Sequence, residues 1–345
     1  MTTLDLHYQT IYAGAAFTVH EIQPLVRSSP HLRQLSIDSC PDEVYDEVAQ
    51  HCPNIQQLVI NVSDLGFMTI NDESYGLKTL ALGYVRSGAA LESLLTRHAS
   101  SLETLHLFQV LLDITGTFDI FSTVKFTNLV NIIMCGVVPE ISQQLPRMVH
   151  ETSQLKALSL GDVDGIVPDS VFETLVVRFP NFRHLTLHSC DFNDAALSRC
   201  LHSFATGSAR SSSLENLDIY PRKGYTNNTV LKTCARITSL KRLSIYHHQR
   251  SPTAVESFAK EIAKLPRLEK LNIYNLPMTE KDIQVIGENS SIRNVYLAFS
   301  EGITREQARS ALIPGVFVHF GDTFDYSDSD YIENENTYDD FYWNT

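Results

Sequence analysis

Apolar and polar positions follow a short pattern that returns at regular intervals along this chain. In residues 32–40, apolar side chains stand at positions 1, 4 and 6, and a cysteine stands at position 9. Residues 182–190 repeat the whole pattern. Apolar residues at positions 1, 4 and 6 recur with a mean spacing of about 26.5 residues, a period typical of solenoid proteins. The copies begin at Met1, Leu32, Ile55, Leu77, Leu102, Leu129, Leu155, Phe182, Leu214, Leu240, Leu268 and Ile292.

Helical patterns separate these strand-like segments. In residues 253–265, Val255, Phe258 and Ile262 recur at the spacing of one helix face. Residues 304–307 have the sequence of a capping box, which predicts the start of another helix. Each repeat is therefore predicted to contain a strand, a turn and a helix. We expect an α/β fold, a curved solenoid of about twelve repeats with a parallel inner sheet and outer helices.

Residues 52–60, Cys-Pro-Asn-Ile-Gln-Gln-Leu-Val-Ile, resemble the cysteine-containing leucine-rich repeats of ribonuclease-inhibitor type found in F-box substrate receptors. The resemblance covers residues 1–320 and implies a leucine-rich-repeat solenoid. Position 9 departs from the family pattern, because it is cysteine in only two repeats and valine at positions such as Val85 and Val110. An F-box would need a helical segment ahead of the repeats. Because the first repeat begins at Met1, we expect this ligase-docking module to be absent from the chain.

The balance of charge limits the classes of partner. The chain has 27 basic and 40 acidic residues, a formal net charge of −13. Without an excess of Lys and Arg, binding to nucleic acid or to an anionic membrane is not expected. Eight acids and no basic residue fall within residues 321–345. We therefore expect the solenoid to span residues 1–320 and an acidic aromatic tail, residues 321–345, to be disordered. Its aromatic residues leave open the alternative that it anchors on a surface.

The sequence contains no signature of catalysis, export or membrane insertion. It has no nucleotide-binding loop, zinc-protease motif or hydrolase elbow, so we expect neither an enzyme nor a cofactor. His184 and His188 lie on one face of a predicted strand but about 13 Å apart, too far to share a metal ion. No stretch reaches the length of a membrane helix, and the N-terminus does not have the pattern of a secretory signal. The six cysteines form no C-x-x-C pair, which favours reduced thiols and a cytoplasmic or nuclear location.

The inner, concave face of the solenoid contains the candidate site. Positions 3, 5 and 7 of each repeat are expected to point onto this face, because side chains alternate along a strand. In the N-terminal half these positions are small or mixed, as at Gln57 and Thr79. In the C-terminal half Tyr220, Tyr246 and Tyr274 occupy position 7 of three consecutive repeats. Because adjacent strands lie about 4.8 Å apart, these tyrosines are predicted to form a side-by-side ladder.

Basic residues accompany the predicted ladder. Tyrosine and arginine dominate binding hot spots, which favours a protein-binding patch. Tyrosine also has a high β-propensity, so a tyrosine column that only stabilises the sheet is an equal alternative. We predict a protein partner on the concave face, bound by Tyr220, Tyr246, Tyr274, Tyr296, Arg242, Lys270, Arg222, His247 and His248.

The expected function is a non-enzymatic scaffold for protein–protein interaction. The resemblance to F-box receptors implies a substrate-recognition module and a ubiquitin-ligase subunit that docks through a missing N-terminal segment. Two alternatives stay open. Ran-type GTPase-activating proteins also look like leucine-rich-repeat crescents with acidic tails, although the regular, asparagine-rich repeats expected of them are missing here. A structural assembly component held through its exposed ends is the other alternative.

Overall fold

The structure, a computed structural model, describes residues 2–6, 19–39, 47–48, 50–62, 76–85, 88–110, 121, 124–207, 213–222, 228–246, 258–298, 303–312 and 316–321. Within these residues, thirteen parallel strands lie in chain order in one sheet, and a two-residue strand, Ile166–Val167, pairs with the end of strand His184–Phe192. The strands are β1 (Thr3–Leu6), β2 (Gln34–Ser39), β3 (Gln57–Val62), β4 (Thr79–Gly83), β5 (Thr104–Phe108), β6 (Asn131–Cys135), β7 (Ala157–Gly161), β8 (Ile166–Val167), β9 (His184–Phe192), β10 (Asn216–Pro221), β11 (Arg242–Tyr246), β12 (Lys270–Tyr274), β13 (Asn294–Ala298) and β14 (Phe317–Gly321).

Helices fall between the strands along the chain. The four helices Leu145–Glu151, Asp169–Arg178, Asp194–Thr206 and Asn228–Cys234 pack each against the next, and helix Glu280–Gly287 packs against Arg305–Ala311. The fold is an α/β leucine-rich-repeat solenoid, curved, with one parallel sheet. The helices are α1 (Val19–Arg27), α2 (Gly88–His98), α3 (Pro139–Ser142), α4 (Leu145–Glu151), α5 (Asp169–Arg178), α6 (Asp194–Thr206), α7 (Asn228–Cys234), α8 (Glu280–Gly287) and α9 (Arg305–Ala311).

The repeat pattern determines both the start and the register of the strands. Each of the twelve predicted repeats contributes a strand that begins at its third position, as Gln34 and Arg242 do. Equal positions face each other across the sheet, so that Leu35 pairs with Leu58 and Leu58 with Leu80. The last strand of the sheet, β14, was not predicted. Position 1 of its repeat is Gly315, where the pattern requires an apolar residue.

Positions 1, 4 and 6 form one continuous core with the inner faces of the helices. Position 9 also belongs to this core, since Val85, Val110, Val137 and Val163 are fully buried there. The departure from Cys or Asn at position 9 therefore preserves burial, because a branched aliphatic side chain fills the same space. Cys190, which keeps the family residue, is equally buried, and its thiol donates to the carbonyl oxygen of Leu160 at 3.3 Å.

A left-handed residue at position 8 directs the chain back into the core. Gln109 has a φ of 46° and Gly136 a φ of 63°, and the same turn recurs at Tyr84, Asp162, Ser189 and Asn275. The turn aims the backbone N–H of position 8 at the neighbouring strand, so that Gln109 donates to the carbonyl oxygen of Cys135 at 2.7 Å. Position 9 consequently points inward.

Gly136→Ala is expected to lower the free energy of unfolding by about 1–2 kcal/mol, the cost of a left-handed conformation for a residue with a Cβ. The added Cβ would also lie 3.2 Å from Cγ of Gln109. Urea denaturation followed by circular dichroism measures the change. Gly76→Ala is the matched control, because its Cβ would meet no atom within 4 Å. Equal stability of Gly136→Ala and wild type would contradict the role assigned to the turn.

Candidate protein-binding site

Five aromatic rings follow one another across the concave face of the C-terminal half. His188 stacks on Tyr220 with ring centroids 4.7 Å apart and planes 15° from parallel. Tyr220 lies 4.2 Å from Tyr246, which lies 6.5 Å from Tyr274. Tyr296 extends the row, 5.3 Å from Tyr274. These separations bring most of the rings within or near the usual range for paired aromatics. We call these five residues the aromatic ladder.

The register of the sheet explains the order of the rings. Tyr246 faces Tyr274 directly, and Tyr220 faces His188. Tyr296 stands at position 5 rather than position 7, and its ring reaches Tyr274 across the diagonal. The diagonal contact is possible because position 7 of β13 is the small residue Ala298. His188 was not among the residues predicted for this site, although its place at position 7, next to Tyr220, was a usable signal.

The ladder combines exposed surface with fixed geometry. Its four tyrosines are partly exposed. Asn275 Nδ2 donates to Tyr246 Oη at 2.5 Å, and Asn275 itself occupies a left-handed turn with φ of 55°. Burial lowers the pKa of His188 by desolvation, with an opposing influence of Asp162, so the ring that stacks on Tyr220 is neutral at pH 7. The ladder therefore presents pre-ordered aromatic surface.

The predicted basic residues differ in their surroundings. Arg242 is exposed and faces Lys270 across the β11–β12 pair. Within the described part of the chain, no carboxylate lies within ion-pair distance of Arg242. Arg222, by contrast, donates through Nε to the carbonyl oxygen of Ser189 at 3.1 Å, and its guanidinium lies 3.4 Å from Asp164. Arg222 is thus held by the backbone of β9 and by the segment between β7 and β8. His247 and His248 lie outside the described residues.

Position 5 contributes three polar residues beside the ladder. Asn272 Nδ2 donates to Ser244 Oγ at 3.1 Å, whereas Oδ1 of Asn272 is buried and has no hydrogen-bond partner among the described residues. Asp218 stands at the same position in β10 and is partly exposed. Desolvation raises the pKa of Asp218 to about 7, against an opposing influence of Lys270. We call Asp218, Ser244 and Asn272 the polar row; position 5 was predicted to point onto the concave face, but no role was predicted for these residues.

Exposure at position 5 varies along the concave face. The prediction that position 5 opens onto this face is wrong for Val59, Ala81 and Ile133, which are at most 4% exposed, whereas Asp5 near the N-terminus is exposed as predicted. These three apolar residues at position 5 pack closely on neighbouring side chains. In the C-terminal half, Asp218 and Tyr296 stay partly exposed at this position. Partly exposed residues at position 5 therefore accompany the aromatic ladder.

The described residues include neither a candidate metal site nor a membrane-spanning helix. Asn216 Nδ2 lies 2.7 Å from His184 Nδ1, so this histidine is held by a neighbouring strand. Across the described ranges, no group of three or more His, Cys, Asp or Glu side chains is placed to hold a metal ion. Nor is any helix in that part of the chain long and apolar enough to span a membrane.

No protein-family model matches the sequence, and a search of curated proteins finds no relative. Among solved structures, the chain is similar to one in the crystal structure of the yeast Rad7 and Elc1 complex, with a TM-score of 0.58 and 18% identity over 87% of this chain and 77% of that one. It is also similar to an internalin, InlF, of Listeria monocytogenes, with a TM-score of 0.51 and 14% identity over 94% of this chain and 88% of the other. At these identities the likeness concerns the fold.

Proposed function

We propose that this chain is a non-enzymatic protein-binding scaffold whose partner lies on the aromatic ladder. The observation that supports this most is the set of four partly exposed tyrosines on the same face of the sheet as Arg242, an exposed arginine that has no ion pair among the described residues. A tyrosine column that only stabilised the sheet would need no such arginine. Tyrosine and arginine are enriched where interfaces concentrate their binding energy. The rigid rings also limit the side-chain entropy lost on binding.

The finer proposal is a substrate-recognition role of the F-box type, with the partner as substrate and a ubiquitin ligase as the larger assembly. The similarity to a chain in the complex of Rad7 with Elc1 supports it, because that solved structure is an assembly of two proteins. Fold alone does not decide function, so the proposal needs a test at the concave face.

Tyr246→Ala is expected to weaken partner binding by about thirtyfold, because truncation of a central hot-spot aromatic costs about 2 kcal/mol or more. Tyr246 lies between Tyr220 and Tyr274, so its loss interrupts the ladder. Proteins captured by the immobilised chain from native cells would be identified, and the purified partner would then be titrated by calorimetry against wild type and variant. Arg242→Ala is expected to weaken the same complex.

The controls are Gln57→Ala and Thr79→Ala, which also truncate a side chain to alanine, at position 3 in the N-terminal half. Both are expected to bind as wild type does. Tyr246→Phe keeps the ring but removes the hydroxyl that accepts from Asn275, and is expected to retain most of the affinity. Equal loss in all truncation variants, or none in any, would place the partner elsewhere on the solenoid.

A further inference from the structure

We infer that the polar row beside the aromatic ladder binds a basic side chain, of arginine or lysine, presented by the protein partner. The inference rests on the proposed function and adds the chemistry of the partner. It begins from two hydrogen-bond acceptors on the concave face. Asp218 makes no hydrogen bond or ion pair with any described residue, and Oδ1 of Asn272 is buried without a partner there. A buried acceptor without a partner, as Oδ1 of Asn272 is, is costly and favours a ligand that supplies a donor.

The spacing of the polar row sets what one ligand group can reach. Asp218 and Asn272 stand on β10 and β12, two strands apart, which corresponds to about 9.6 Å. One guanidinium or ammonium therefore meets Asp218 alone. The acceptor on Asn272 is left for a second donor of the same segment, such as a backbone N–H. Ser244 lies between them and already accepts from Asn272.

The aromatic ladder adds a second attraction for a cation. Tyr220 and Tyr246 stand two residues beyond Asp218 and Ser244 on the same strands, so their rings border the approach to the carboxylate. A cation over a tyrosine face gains about 0.5–1 kcal/mol at exposed sites. A guanidinium suits such a place better than an ammonium, because it is planar and stacks on a ring while donating along its edge.

The chain's own cations do not replace the ligand. Arg242 is exposed and forms no ion pair with Asp218, and the attraction of Lys270 does not overcome the desolvation of the carboxylate. His184 and His188 on β9 are neutral at pH 7, because burial lowers the pKa of both. The charged and titratable groups that face Asp218 from its own and neighbouring strands are His184, His188, Tyr220, Arg242, Tyr246, Lys270 and Tyr274.

The test uses small probes in place of the unidentified partner. The full chain, labelled with ¹³C at its tyrosine rings and aspartate carboxyl groups, is titrated by NMR with N-acetylarginine methylamide. The neutral analogue N-acetylcitrulline methylamide and the acidic N-acetylglutamate methylamide are titrated separately. The arginine probe is expected to shift the Asp218 carboxyl and the ladder rings in a saturable way, about tenfold more tightly than the citrulline probe, since it adds a charge-assisted hydrogen bond.

Variants and pH make the assignment specific. Asp218→Asn is expected to reduce the affinity for the arginine probe to that for citrulline, and Arg242→Ala to increase it by removing a repulsive charge. Affinity for the arginine probe is expected to fall below pH 7, as the carboxyl becomes protonated. Circular dichroism confirms that each variant is folded.

Tighter binding of the glutamate probe, with loss in Arg242→Ala, would overturn the inference in favour of an acidic segment. Unchanged affinity of Asp218→Asn for the arginine probe would also overturn it. Either result leaves the proposed function intact as long as Tyr246→Ala still loses the captured partner. If Tyr246→Ala retains the partner, the proposed function itself fails.

Discussion

Phe204→Ala is expected to lower the free energy of unfolding by about 3–5 kcal/mol, the usual cost of truncating a buried phenylalanine. Phe204 lies on α6 and is 1% exposed. Its ring stacks on Phe182, at position 1 of the same repeat, with centroids 6.1 Å apart. The contact joins a helix of the outer layer to the strand segment of the inner layer. Alanine would leave a cavity that both layers line.

Denaturation in guanidinium, followed by circular dichroism and by tyrosine fluorescence, measures the loss. Repeat arrays unfold in parts when one interface is weakened, so the two signals are expected to separate in this variant. Val177→Ala on α5 is the control, because this side chain is 82% exposed and its truncation is expected to change stability by less than about 0.5 kcal/mol. A loss of stability as small as that of Val177→Ala would show that the contact between Phe182 and Phe204 does not stabilise the core.

The strands of this fold were predictable because every repeat has to bury the same set of apolar positions. Apolar residues at positions 4 and 6 have to face one core, so the period places a strand at every copy, from Thr3 to Asn294. β14 was missed because Gly315 interrupts the pattern that defines a repeat. The aliphatic residues at position 9, such as Val110, were read as irregularities. Their burial follows from the left-handed turn at position 8, which has no single residue type as its signature.

The candidate site was predictable only in part. Residues at the same position of consecutive repeats can be identified from the sequence as neighbours in the sheet. Tyr246 and Tyr274 were therefore expected to be adjacent, and the structure places them so. The position in the repeat does not show diagonal contacts, such as that of Tyr296 with Tyr274. This contact depends on the small size of Ala298, which faces Tyr274. Nor does it give the environment of Asp218, since desolvation depends on all the side chains around a group.

Asp218 is expected to make the stability of the folded chain depend on pH. Desolvation raises the pKa of its carboxyl from 3.8 to about 7 in the folded state. The folded chain therefore holds this proton more tightly than the unfolded chain does. The contribution of Asp218 to stability is greatest below pH 4 and is lost as pH rises to 7, above which it stays constant. The total change is about 2–4 kcal/mol, since one pKa unit corresponds to about 1.4 kcal/mol.

Asp218→Asn removes the titrating group and keeps the shape of the side chain. The variant is expected to be about 2–4 kcal/mol more stable than wild type at pH 8, with a smaller decrease in stability between pH 4 and pH 7. Urea denaturation at pH 4, 5, 6, 7 and 8 measures the profile, with Asp5→Asn as the matched control at an exposed position 5 in β1. Because binding sites often retain residues that lower stability, a gain at pH 8 together with a loss of arginine binding would identify Asp218 as kept for recognition. If Asp218→Asn is less stable than wild type at pH 8, the carboxylate stabilises the folded chain, and both its desolvation and its availability to a basic ligand are refuted.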